Sequence, residues 1–510
     1  MTETITVSEK KTNPVAEALN NFFHIRERGG TIKSEVGAGI STFLIACVTF
    51  IMNAKIVGSY YGNYAGSYLA ITLIAFVGTF LIGLLANKPL VVCSNLALST
   101  ALVSMIGANS GLTYANLMVV TFFSSLIVLT LSVSPLGHKL ITFLPLSVRK
   151  ALPVAVGLFT IFEGLKDSGL VSSNVLTNVS GKGLQGFYLV LMAISVLGFI
   201  AMKSFKVRKS TFRLYGLLVA FLWVGGIVFY LSDFVGGSTA TTLVYERLNL
   251  IVATDGASPY NIGLGFQSIK WGQLFTSGFD FSAMMANGGN PALVFIKGLI
   301  VFTAMTTYTN VGNLEATATS GNFITDDYNV EGARRTFIIA SAVNMLAPIV
   351  GAPIVTVSSR SAVATENEGK TGLSSIVTSL GFFVCLFTWA AFAFTATTTN
   401  GVGMWIEQSE VKLAAYVQDG FGFNGIIMAL VGATMLKGVK KINFTNAMEI
   451  IPFIATVCGT LFTSDIAFGV TLGVIADLFT TLAMKKYSDI KTEKIVLSSL
   501  SLVYLVFALI

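Results

Sequence analysis

Apolar runs of about twenty residues recur from end to end of this chain, at 36–57, 64–86, 116–133, 184–202, 214–231, 292–311 and 372–396, and few charges interrupt them. A helix of that length crosses the hydrocarbon core of a bilayer, where only helices and closed barrels satisfy their own backbone groups. With 54% hydrophobic and 11% charged residues over 510 positions, the chain is too apolar for a soluble fold of its size. It reads as an all-α polytopic membrane protein with about fourteen transmembrane segments, several of them short or interrupted by Gly and Pro.

The net charge of +7 calls for no nucleic-acid partner, because the basic residues collect in a few loops. Lys203, Lys206, Arg208, Lys209 and Arg213 share one loop with no acid, and further clusters lie at 138–150, 437–441 and 485–486. The stretch 232–290 instead carries Asp233, Glu246, Asp255 and Asp280 against Arg247 and Lys270. The positive-inside rule puts the N-terminus in the cytoplasm and that long loop outside, in a multi-pass protein of the plasma (inner) membrane. Residues 1–33 are polar and contain no signal-peptide core, so the first span directs insertion.

Cys47, Cys93, Cys385 and Cys458 fall in apolar spans without paired spacing, which points away from disulfides and zinc. His24 and His138 lie in segments assigned to the cytoplasm, leaving no histidine for a proton relay at membrane depth. No phosphate-cradling Walker loop is present. The reading is a non-enzymatic chain with no catalytic residue, metal site or cofactor, and with transport that is secondary or passive.

Two stretches 264 residues apart read almost alike: Pro89 to Asn95 (PLVVCSN) and Pro353 to Ser359 (PIVTVSS). A Pro, a β-branched run and small hydroxyl residues describe a chain that enters extended and turns into a helix inside the membrane. The same offset carries Lys33, just before the first span, onto Lys297 at the start of the second half. The pattern is a seven-plus-seven inverted repeat whose third and tenth segments are short strand–helix elements facing each other near the midplane. Two helix N-termini would converge there, and Ser94, Asn95, Ser358 and Ser359 are small enough to let a ligand reach backbone N–H groups. The second stretch runs into Arg360, a lone charge in apolar sequence and the strongest functional clue in the chain.

These residues resemble the AzgA-like purine permeases of the nucleobase–ascorbate transporter group, whose fold is shared with sulfate-permease anion transporters. The resemblance is carried by Glu35 to Leu44 (EVGAGISTFL), Ile82 to Pro89 (IGLLANKP), Val156 to Leu170 (VGLFTIFEGLKDSGL), Lys440 to Pro452 and Asp465 to Gly469 (DIAFG), in order and at similar spacing. It implies an elevator-like motion of a core domain (36–134 and 292–397) against a gate domain (146–232 and 412–486). Around these lie a cytoplasmic segment (1–35), a long extracellular loop (233–291) and a C-terminal interfacial helix (487–510). It also implies a homodimer through the gate domain, and coupling to H+ or Na+.

The resemblance breaks at the binding residues. Relative to Gly312, the family's carboxylate position in the eighth segment is Thr309, with Thr306 one turn earlier. Relative to Lys370-Thr371-Gly372, the glutamate position of the tenth segment is Arg360. A glutamate accepts the ring N–H groups of a neutral purine, whereas a guanidinium only donates. The expected substrate therefore becomes an anion: an oxyanion, a carboxylate, or an anionic purine such as urate or xanthine.

An unpaired arginine at the bilayer centre costs roughly 2.5 to 3.5 kcal/mol or more, so a negative partner is expected. Glu315 is the protein candidate, on the same helix as Thr309. Asp465 and Asp477 are candidates for coupling, although Asp465 also reads as the N-cap of a helix starting at Ile466. Glu163, Lys166 and Asp167 read as a solvated helix end. The alternatives are a neutral purine permease, an anion channel or uncoupled facilitator, and a non-transporting membrane sensor in which Arg360 is permanently neutralised.

Overall fold

The computed structural model describes residues 14–167, 266–387 and 428–509, with short gaps inside these ranges, and short strand pairs within 171–176 and 396–405. The spans expected at 184–202 and 214–231, and most of the long loop before 266, lie outside the described residues. So does most of 388–427, and the total of about fourteen segments therefore rests on the sequence reading.

Among the described residues, five helices are long and apolar enough to cross a membrane, at 66–86, 114–133, 291–321, 333–350 and 466–483. The helices that build the site are α1 (Pro14–Phe23), α2 (Ile32–Ala46), α3 (Val48–Tyr61), α4 (Tyr64–Leu81), α5 (Leu96–Ala108), α6 (Tyr114–Val133) and α7 (Leu146–Asp167). They continue with α8 (Pro291–Gly321), α9 (Ala333–Leu346), α10 (Ser361–Glu366), α11 (Gly372–Cys385), α12 (Ala447–Thr463), α13 (Ile466–Ala483) and α14 (Thr492–Leu509). Helix α11 packs on α2 and α4, α6 on α8 and α9, and α7 on α12 and α8.

At the centre sit two three-residue strands, β1 (Val92–Ser94) and β2 (Val355–Val357), paired antiparallel with Val92 opposite Val357 and Cys93 opposite Thr356. Shifting the first pair by the 264-residue offset gives Thr356 opposite Cys93, the next rung of the same ladder. The ladder is thus its own image under the offset read from the sequence.

The approach to each strand follows the same offset. The extension of α4 ends at Asn87, in the left-handed region at φ 47°, and the extension of α9 ends at Gly351, at φ 73°. Gly351 is also sterically required, because a Cβ there would lie 2.7 Å from Cε2 of Tyr61. Asn87 tolerates the conformation as asparagine often does, and its side chain is used: Oδ1 accepts from Gly372 N at 2.7 Å and Nδ2 donates to Phe23 O at 2.9 Å.

Helix α14 runs antiparallel along α13. Lys494 pairs with Asp477 (2.6 Å) near one end of α13, and the Tyr504 hydroxyl donates to Asp465 (3.0 Å) at the other. These two polar anchors at opposite ends of the helix hold it against α13.

Candidate functional site

Backbone at membrane depth must find partners within the protein, and helical side chains supply them for both strands. Thr79 on α4 both donates to Val92 O and accepts from Val92 N, each at 3.1 Å. On the other strand, Asn310 Oδ1 accepts from Val357 N at 2.8 Å, Asn313 Nδ2 donates to Val357 O at 2.7 Å, and Asn344 Oδ1 accepts from Val355 N at 2.9 Å. Ser358 N donates to Val91 O, which extends the pairing toward Arg360. The strand ends are therefore held from both sides, and the residues after them are placed firmly.

Those residues close around a small cavity. It is lined by Cys93 to Leu96 from the first broken segment, Thr356 and Ser358 to Arg360 from the second, Asn313 from α8, and Phe159 and Glu163 from α7. Its volume is ≈ 10 Å³, about the smallest space that holds one water. Arg360 is 7% exposed, and its guanidinium makes no hydrogen bond or ion pair with any described residue. Ser94 Oγ, Thr356 Oγ1 and Asn313 Oδ1 are buried there without partners as well. The cavity thus holds a fork of N–H donors, two hydroxyls and one free amide oxygen.

The sequence-predicted residues divide. Ser94, Asn95, Ser358, Ser359 and Arg360 come together. Thr306 and Thr309 are buried on α8 but do not line the cavity; Asn313, one turn further on, does. Asn95 spends its side-chain oxygen as the N-cap of α5, accepting from Ala97 N at 2.9 Å. The second broken segment carries only the six-residue α10, with Arg360 in its N-cap position and no side-chain cap, so the expected pair of converging helices is lopsided.

Glu315 is not the partner of Arg360. It is 1% exposed and its Oε1 accepts from Arg149 Nε at 2.8 Å, which ties α8 to α7. Asp465 caps α13 as read from the sequence, accepting from Ala467 N. Asp477 is engaged by Lys494 and by Ser147, whose hydroxyl donates at 2.9 Å. Glu163 is no solvated helix end: it is half-buried, and it lines both the inner cavity and a larger one of ≈ 850 Å³ beyond it. Leu96 and Phe159 also face both, so these three residues form the neck between them.

No family model matches the chain. The guanine/hypoxanthine permease PbuO of Bacillus subtilis is 22% identical over 489 residues, covering 95% of this chain and 99% of its own length. The adenine permease AdeP of Escherichia coli is 22% identical over 492 residues, covering 96% of each chain. This is a multi-pass membrane transporter that resembles the purine permeases from end to end. It is not an enzyme, and its setting is a bilayer with a transported substrate. Among solved structures, the transmembrane domain of the cyanobacterial bicarbonate transporter BicA aligns at TM-score 0.36 and 13% identity, covering 88% of this chain and 96% of that one. The murine anion transporter Slc26a9 aligns at 0.39 and 11%, covering 94% and 74%.

Proposed function

We propose that the chain is a secondary-active transporter of an anion, and that the anion is a purine-like heterocycle of the urate or xanthine kind. The observation that supports this most is Arg360, a buried guanidinium without a partner among the described residues, in a cavity of small polar groups. A planar fork grips a delocalised anion through two parallel N–H bonds, while the Ser94 and Thr356 hydroxyls donate from the strands. The free Asn313 Oδ1 favours a heterocycle over a bare oxyanion, because it is an acceptor and needs an N–H to meet it. The purine permeases to which the chain is similar favour the same ring system.

The narrow cavity requires that something move before a ring enters. Its walls come from the broken segments and α8 on one side and from α7 on the other, which fits a core (36–134 and 292–397) sliding against a gate (146–232 and 412–486). In this reading the N-terminus is cytoplasmic, the membrane is the plasma membrane, and the gate domain carries a homodimer contact. Uptake is driven by H+ or Na+.

The test is thermal unfolding of purified protein with urate, xanthine, hypoxanthine, adenine, sulfate and bicarbonate. A ligand at a hundredfold excess over its dissociation constant stabilises by about 2.7 kcal/mol. Stabilisation by urate or xanthinate that disappears in Arg360→Ala supports the proposal. Stabilisation by neutral adenine or hypoxanthine alone would replace it with a neutral purine permease in which Arg360 is structural.

A further inference from the structure

We propose that residues 266–290, whatever the substrate, form an interfacial strap whose outward side lies in the head-group region of the bilayer. The stretch contains only short helical turns, Gln273–Thr276 and Ser282–Ala286, and no span. Its side chains nevertheless divide like those of a membrane-bound element. Ile269, Leu274 and Met284 are buried in the core, while Trp271, Phe275, Phe279 and Met285 are each more than half exposed. Large apolar side chains gathered on the open side of a segment mark a contact surface.

The level of the strap is set by the helix ends it touches. The hydroxyl of Tyr61, the last residue of α3, accepts from Lys270 N at 2.7 Å. Gly272 N donates to Ile349 O at 2.8 Å, at the close of the span 333–350. Asn116, in the first turn of α6, donates through Nδ2 to the carbonyls of Gly278 and Asp280, each at 2.8 Å. Gly278 fits tightly there, since a Cβ would lie 2.6 Å from Cγ2 of Val119. The chain then enters the span α8 at Pro291. With spans beginning and ending against it, the strap lies where they leave the hydrocarbon.

At that level the occupant is the lipid interface, where aromatic rings collect and amphipathic segments bury their apolar side. Leu293 and Ile296, also more than half exposed, carry the apolar surface from Met285 onto the first turns of α8. The outward side of the strap is therefore continuous with a surface that a span presents to lipid. The Trp271 indole N–H donates to Phe266 O at 3.0 Å, so the ring can enter the acyl boundary with no unmet donor. Thr276, Ser277, Asp280 and Ser282 are exposed as well and keep one edge of the strap in water. The strap also reaches toward the site. The Tyr61 hydroxyl that takes the Lys270 N–H donates to Val350 O at 3.3 Å, just before the Gly351 turn that leads into β2.

Trp271 is a reporter that the strap already carries. The chain has four tryptophans, and Trp223→Phe, Trp389→Phe and Trp405→Phe together leave Trp271 as the sole one. The variant is reconstituted in phosphatidylcholine vesicles whose acyl chains carry bromine either near the glycerol or near the chain end, and each is compared with iodide on both sides of the membrane. The expected order of quenching is bromine near the glycerol, then bromine near the chain end, then iodide. Strong quenching by iodide with none by bromine would put the strap in water and overturn the proposal, and a stronger effect of chain-end bromine would overturn it by putting Trp271 inside the hydrocarbon. Resistance to all three would mean that protein covers the rings, a second copy of the chain included, which overturns it too. A second measurement uses the wild type and decides the matter where the triple variant fails to fold. A lipid with a photoreactive group beside the glycerol should leave adducts within 271–285, with Leu293 and Ile296 as the control on the span. Adducts at the control residues with none within 271–285 would overturn the proposal.

Discussion

Arg149 Nε donates to Glu315 Oε1 at 2.8 Å, with both side chains buried, and the bond links α7 to α8. In the proposed division of the chain, the bond crosses from gate to core. Glu315 Oε2 has no hydrogen-bond partner, so the pair is held by a single contact rather than a fork.

Removing one member of that pair takes a charged partner from the other in a buried setting. Glu315→Ala should lower stability by about 3 to 5 kcal/mol, while the double variant Arg149→Met with Glu315→Leu should return close to wild type or exceed it. Thermal unfolding of the three proteins in one detergent reads the difference. A double variant as unstable as the single one would show that the bond does more than satisfy its own charges.

Arg360→Lys keeps the charge and loses the fork. A point charge cannot hold a delocalised anion in two parallel bonds, so urate affinity should fall about ten- to a hundredfold without loss of folded protein. Isothermal titration against wild type and Arg360→Ala gives the order wild type, Lys, Ala. Equal affinity of the Lys variant would show that charge alone suffices.

The two left-handed turns should respond differently to substitution. Gly351→Ala meets both a positive φ and the Tyr61 ring, and should cost about 1 to 3 kcal/mol or more. Asn87→Gly relaxes the same kind of φ but gives up two hydrogen bonds, to Gly372 N and Phe23 O, and should still destabilise by about 1 to 3 kcal/mol. Comparing melting temperatures of the pair separates backbone strain from side-chain bonding.

Asp477 tests the packing behind the site. Bound to Lys494 and Ser147, it holds α14 and α7 to α13. Asp477→Asn should lower the melting temperature and leave urate affinity unchanged. A loss of urate affinity in this variant would show that the packing of α13 and α14 shapes the site.

Much of this site is local, and local features are legible. Pro89 and Pro353 with their β-branched runs register the two strands to the residue, because backbone constraint and spacing are written in consecutive positions. Asp465 reads as a cap for the same reason. Thr309 was one helical turn from the cavity residue Asn313: alignment identifies the face of α8, but only the crossing of the strands decides which turn meets it. Glu163 read as solvated because an acid near Lys166 and Asp167 has that local character, and its position in the neck depends on α7 meeting the first broken segment across the cavity. Arg149 and Glu315 are 166 residues apart, with nothing in either neighbourhood to announce the other. The C-terminal helix follows a basic run, and its contacts with Asp477 and Asp465 are made across a packing interface that no local pattern announces.

The β1–β2 ladder also sets a schedule for the protein's birth. At about 5 to 20 residues per second, the ribosome needs roughly 13 to 53 seconds to travel from the first strand to the second. Throughout that interval the first broken segment has entered the membrane while the strand that completes its hydrogen bonds has not been made. The nascent first half therefore carries open backbone groups in or near lipid, where they are most costly. Truncated chains ending before residue 355 should be natural clients of membrane quality control, and maturation should switch on abruptly once the second strand has left the ribosome.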